Sequence, residues 1–127
     1  MRTFWIALAT FCIFASGLWV GERLTMSAVM AVEDERWEKR ERQYEQILRT
    51  VIDLAICESA MRPNAVGDRG QSRGILQYKL PTFLEFQSEA GRPELQWLDP
   101  ADQIILTKWA VQNGKEKHWA CWDKIAN

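Results

Sequence analysis

The sequence predicts a mainly α protein: a small helical domain preceded by an N-terminal hydrophobic segment and a charged helix. Three observations carry this expectation. An uncharged run opens the chain, apolar residues recur at helical spacing through its middle, and helix start and stop signals bracket two later segments. No strand-like alternation longer than a turn appears, and no internal repeat.

The chain has 127 residues and a net charge of −1. That length suits one small domain with appendages, and the balanced charge gives no basic surface for nucleic acid. After Arg2, residues Thr3 to Val20 carry no charge. As a helix this run would span roughly 27 Å, close to the hydrocarbon thickness of a bilayer. It reads as a membrane anchor or a cleaved signal peptide over residues 1–24, although the small-residue cleavage signals are weak. Arg2 and the free amine would stay cytoplasmic, so the remainder would be exported, with the cytoplasmic membrane as a partner surface. Phe11 before Cys12 is too large for a lipidation motif.

Residues 25–50 read as a charged helical spacer. Glu35/Lys39, Glu38/Arg42 and Glu45/Arg49 are i,i+4 pairs with the acid first, the favourable order on a helix. Tyr44, Ile47, Leu48, Val51, Ile52 and Ala55 continue the helix with an apolar face, from about Glu33 to Ala60. The apolar heptads are too few to favour a coiled coil, and nothing names a protein partner for this helix. Pro63 should end it, and Asn64 to Gly74 read as a loop or minimal hairpin. Pro81 and Gly91 then bracket a second helix, with Phe83, Leu84 and Phe86 as its apolar face. Asp99-Pro100-Ala101-Asp102 starts a third, which Gly114 stops. The folded domain is expected over residues 51–127, a size at which a covalent staple helps.

Cys57 and Cys121 are the two cysteines outside the hydrophobic run. In an exported domain they are a disulfide candidate, and closing about 64 residues would stabilise by roughly 4 kcal/mol. Two buried free thiols are the alternative, because spacing alone does not show that the atoms meet.

Glu58 lies three residues after Ala55, four after Leu54 and seven after Val51, on or beside the buried face. A carboxyl against apolar groups loses hydration as an anion and holds a proton more readily, as a general acid needs. An exposed helix-end charge is the plainer alternative. His118 is the only histidine and has no partners for a metal site, so no metal or cofactor is expected. Structure or substrate contact suits His118 better than catalysis. Of the seven tryptophans, Trp5 and Trp19 suit the hydrophobic segment, and Trp97 and Trp109 suit a core. Trp119 and Trp122 are candidates for a groove.

The ordered set Glu58-Ser59, a breaker, a glycine loop with Asn64-Ala65 and Gly70, then Ser72-Arg73-Gly74-Ile75-Leu76-Gln77-Tyr78, resembles the lysozyme-like soluble lytic transglycosylases of bacterial cell-wall metabolism. The resemblance covers roughly Asp53 to Trp122. It implies a lysozyme-like α-rich domain with a groove for peptidoglycan glycan strands. Glu58 would be the catalytic acid and base at the bond between N-acetylmuramic acid and N-acetylglucosamine, giving a 1,6-anhydro product. Ser59 and Gln77 would orient Glu58 or the acetamido group, and Ser72 would lie in the same cleft segment. Gly74 would let the backbone approach a sugar, and Tyr78 would line the cleft. The family's late Ala-Tyr-Asn-like motif has no tyrosine counterpart in AVQNGKEKHWACW, where Trp119 or Trp122 would close the groove instead. Asp68 is either a turn residue or a base that activates water, which would make the enzyme a hydrolytic lysozyme. A binding module that has lost activity is a further alternative.

Overall fold

The computed structural model describes residues 2–126, with side chains from Met26 onward. The run Thr3–Val20, with Trp5, Cys12 and Trp19, lies outside the residues whose side chains are described. Among the described residues, no helix is long and apolar enough to cross a membrane. The chain divides into two units, Met1–Arg42 and Gln43–Asn127. In the first, every described side chain is exposed. Arg42 there donates to Glu38 at 3.1 Å, and the Arg40 guanidinium stands 5.7 Å from the Trp37 ring centre.

The elements in order are α1 (Arg2–Ser59), β1 (Val66–Gly67), β2 (Ser72–Arg73), β3 (Tyr78–Lys79), α2 (Leu80–Glu89), α3 (Pro100–Gln112) and α4 (Trp122–Ile125). Single 3-10 turns cover Asp68–Gly70 and Glu116–His118. The protein is mainly helical, as expected, but its strands form a three-stranded antiparallel sheet in the order β1-β2-β3. Val66 faces Arg73, Gly67 faces Ser72, Ser72 faces Lys79 and Arg73 faces Tyr78. The hairpin of β1 and β2 was legible as a minimal one. The third strand was not, because two residues are too short for a visible alternation.

Helix ends follow local chemistry. The α1 helix stops at Ser59, four residues ahead of Pro63, because Ala60 and Met61 adopt left-handed backbone angles (φ 53° and 61°). At this end Met61 N–H bonds Ala55 O, Ala60 N–H bonds Ile56 O, and Arg62 donates to Ser59 O through its backbone and Nε. Asp99 caps α3, accepting from the N–H groups of Ala101 (2.8 Å) and Asp102 (3.0 Å), with Pro100 in the first turn. Gly114 ends that helix in a left-handed conformation (φ 70°), and Lys115 N–H returns to Ala110 O at 2.9 Å.

The core lies wholly in the second unit. Val51, Leu54 and Ala55 of α1 meet Ile75, Leu76, Tyr78, Phe83, Phe86, Leu95, Leu106, Ala110, Trp119 and Cys121. Trp97 and Trp109 pack against it from the side. Residues 43–50, expected in the spacer, belong to this unit, with Ile47 buried and Lys108 Nζ bonding the Tyr44 hydroxyl. The buried stripe of α1 is narrower than expected, since Tyr44 and Ile52 are exposed. Ile47, Val51, Leu54 and Ala55 alone satisfy the helical period toward the core.

Cys57 and Cys121 form a disulfide, with Cα atoms 6.0 Å apart. A disulfide fits an oxidising, extracytoplasmic compartment.

Gln103 is the polar centre of the domain. It is fully buried on α3, its Oε1 accepts from Leu76 N–H (3.0 Å), and its Nε2 donates to Arg73 O (3.0 Å) and Trp97 O (2.7 Å). One amide thus ties the β2–β3 turn and the segment before α3 to the helix. Replacing Gln103 by Leu strands these partners in the interior at about 1–3 kcal/mol for each unsatisfied group. Q103L is expected to lower the urea midpoint strongly with little change in the m-value.

Candidate functional site

Glu58 occupies the last turn of α1 between two residues whose side chains are fixed. Cys57 is in the disulfide. Ser59 is buried, and its hydroxyl donates to Ile75 O at 2.7 Å, with Ala55 O 3.1 Å away. Ser59 therefore ties α1 to the β2–β3 turn from within the core and does not enter the cleft. Glu58 itself is half-buried, and its Oε1 accepts the backbone N–H of Cys121 at 3.1 Å.

A cleft of about 430 Å³ opens beside Glu58, lined by Glu58, Asp68, Ser72, Gln77, Lys79, His118, Trp119 and Ala120. Its size falls within the range of small-molecule sites. Three chain segments build its walls beside α1. Asp68 and Ser72 come from the β1–β2 hairpin, Gln77 and Lys79 from the β2–β3 turn and β3, and residues 118–120 from the C-terminal segment.

The hairpin wall is electrostatically organised. Asp68 has a left-handed backbone (φ 47°), which an aspartate tolerates better than most residues. Its Oδ2 accepts from the Ser72 hydroxyl at 2.9 Å and pairs with Lys79 Nζ at 3.1 Å. These two donors hold the Asp68 carboxyl below its ordinary value, with the hydrogen bond from Ser72 the largest cause. Gln77 also has a left-handed backbone (φ 49°), and its Nε2 donates to Gly74 O at 2.8 Å. Its amide lies against Gly67, where an added Cβ would overlap it.

On the opposite segment, the His118 ring stands edge-on to Trp119 and Phe86, with centroids 5.6 and 5.3 Å away. Loss of hydration there holds His118 below its ordinary 6.5, against the opposing pull of Glu85. Lys79 lowers it further and Glu58 raises it. Trp119 is buried, and its Nε1 donates to Leu76 O at 2.9 Å while the residue forms part of the cleft lining.

The structure thus brings Glu58, Asp68, Ser72, Gln77 and Trp119 into one cleft, with His118 also on its lining. Three other expected positions are corrected. Tyr78 is a core residue: its ring is 1% exposed, it packs edge-on against Phe83 and Trp119, and its hydroxyl meets the Thr107 hydroxyl at 3.0 Å. Burial pushes its phenol far above the ordinary range. Gly74 (φ 85°) is needed because a Cβ there would overlap the Gln103 amide, so its bare Cα makes room for an internal side chain. It borders a separate hollow of about 120 Å³ with Pro63, Asn64, Ala65, Val66, Arg73 and Leu98. Trp122 is half-buried and is not among the cleft-lining residues.

Sequence reasoning missed Lys79 and Gly67. Lys79 lies two residues after Gln77, but Gln77 stands outside β3 in a left-handed conformation, so no strand period signalled the pair. Gly67 carried no signal either, since its partner in space is ten positions away. Among the described residues, no group of three His, Cys, Asp or Glu side chains could hold a metal ion.

No family model, curated protein or solved structure matches this chain.

The Asp68 pairing gives a pH test. Its folded pKa is depressed, so the pairing stabilises the fold above the unfolded value near 3.8 and that contribution is lost as pH falls through the lower folded midpoint. An NMR titration should place the Asp68 carboxyl below 3.8 in the native chain. S72A or K79M should move it up toward that value.

Proposed function

We propose that this protein cleaves the glycan strands of peptidoglycan, with Glu58 as general acid and base. The observation that carries this reading is the shared cleft: a half-buried carboxyl with one oxygen held by a backbone N–H, facing a polar wall of Gln77, Ser72 and Asp68. Pure binding has no need of an acid fixed in this way. The resemblance of the Glu58–Tyr78 segment to lytic transglycosylases names the substrate, and the cleft suits a glycan, with hydrogen-bonding groups on one side and Trp119 and His118 on the other.

In the proposed reaction, protonated Glu58 gives its proton to the glycosidic oxygen between N-acetylmuramic acid and N-acetylglucosamine. The acetamido group of the muramic residue assists from its own ring, so a second protein carboxylate is not required. Glu58, now a carboxylate, takes the proton from the C6 hydroxyl as that oxygen closes onto the anomeric carbon. The product is a 1,6-anhydro end, and no water is consumed. Gln77 contacts the substrate from the opposite wall, while Ser59 acts indirectly by fixing the turn that carries Gln77.

A hydrolytic reading has its own support. Asp68 borders the same cleft, and Ser72 and Lys79 keep it ionised. As a carboxylate it would activate or orient a water, or stabilise positive charge at the anomeric carbon, and the product would be a reducing end. For either reading, the disulfide fits export, and the N-terminal hydrophobic run would place the domain at the outer face of the cytoplasmic membrane.

Digesting purified cell wall with the full chain and weighing the products by mass spectrometry tests this. Cleavage is expected, with E58Q slower by about 100- to 10,000-fold, the range for loss of a general acid. Anhydro ends largely insensitive to D68N support transglycosylation. Reducing ends that fall with D68N support hydrolysis. No cleavage by the native chain, or full cleavage by E58Q, sinks the enzymatic assignment.

A further inference from the structure

The Cys57–Cys121 disulfide flanks the proposed acid on both of its attachments. Cys57 immediately precedes Glu58 in the last turn of α1. Cys121 supplies the N–H that Glu58 Oε1 accepts. The covalent bridge and the hydrogen bond therefore span the same gap between α1 and the C-terminal segment, side by side. We propose that this disulfide is a positioning device for Glu58 and that its reduction switches the cleft off.

The remaining contacts explain why reduction acts locally. Trp119 stays anchored by its bond to Leu76 O, and Ser59 stays anchored to Ile75 O. Val51, Leu54, Leu76, Phe83 and Leu106 are each at most 1% exposed, in the core to which Cys121 also belongs. Beyond Trp119, the N–H groups of Trp122, Lys124, Ile125 and Ala126 bond carbonyls of Trp119, Cys121 and Trp122, and Ile125 packs half-buried against the core. The bridge is thus a covalent tie running beside the bond from Cys121 N–H to the carboxylate.

The two sulfurs differ in access, since Cys57 is exposed and Cys121 buried. A dithiol reductant would enter at Cys57: its thiolate bonds Cys57 Sγ, the S–S bond breaks, and Cys121 Sγ leaves as a thiolate that takes a proton. The reductant's second thiol then displaces Cys57 as a thiol and closes the reductant's own disulfide. Cys57 and Cys121 are each left as thiols and two electrons have come from the dithiol. Cys121 is no longer bound to the turn that carries Glu58, and Glu58 loses its fixed donor, while Trp119 keeps its bond to Leu76 O.

The effect on turnover rests on the reading of Glu58 as the acid, but the positioning claim is testable without substrate. In an amide NMR titration of the full oxidised chain, the Cys121 proton is expected to move as Glu58 ionises, and E58Q is expected to abolish that movement. With dithiothreitol present, the movement should vanish while the Leu54 and Leu76 amides keep their native shifts. A C57A/C121A variant, which needs no reductant, should behave like the reduced chain. An unchanged Cys121 titration after reduction overturns the proposal. So does loss of the native Leu54 and Leu76 shifts in both reduced and variant chains, because the bridge would then hold the fold and not the acid. Failure of the native chain to cleave cell wall would sink the enzymatic reading alone. Where cleavage occurs, reduction is expected to lower it about 100-fold, the scale for ångström misplacement of a catalytic group. Reoxidation should restore it.

Discussion

The last turn of α1 is pinned on both sides of Glu58, and the rest of the site depends on that constraint. On one side Cys57 is bound covalently to the C-terminal segment. On the other the buried Ser59 hydroxyl donates to Ile75 O at 2.7 Å. A helix end frays unless its leftover carbonyls find partners. Here Ala60, Met61 and Arg62 bond the carbonyls of Ile56, Ala55 and Ser59, with Ala60 and Met61 in left-handed conformations. The carboxylate between these anchors has little freedom to drift, and so a single backbone N–H suffices to aim it.

The facing wall is held with the same economy. Gln103 reaches from α3 into the β2–β3 turn and binds both sides of it, and Gly74 leaves the room for that amide. Tyr78 and Trp119 lock the outer strand and the C-terminal segment to the core through bonds to Thr107 and Leu76 O. Polar groups that look functional in the sequence are therefore spent on structure. Their burial is what lets the half-buried Gln77 and the exposed Lys79 and His118 stand at fixed positions along the cleft.

The helices were legible because their signals are local. Asp99-Pro100 and Gly114 act within one turn, and the Val51, Leu54, Ala55 spacing directs one helix face to the core. Glu58, Asp68, Ser72 and Gln77 were legible as site candidates, and so was the cysteine pair. Tyr78 and Gly74 were misplaced because their roles come from partners about thirty residues away, Thr107 and Gln103, which no local pattern encodes. The Cys121 N–H was invisible for a related reason, since a backbone group has no letter of its own. Tyr44 and Ile52 fitted the helical spacing of a buried face, yet only a narrower stripe of α1 meets the core.

The central claim is that a glycan strand lies in this cleft with its scissile bond at Glu58. A crystal structure of the E58Q chain with a peptidoglycan tetrasaccharide tests it most directly. The account predicts the glycosidic oxygen within hydrogen-bond reach of the residue-58 side chain, with Gln77 and Asp68 bordering the muramic ring. A tetrasaccharide bound elsewhere, or one crossing the cleft with that oxygen out of reach of residue 58, would contradict it.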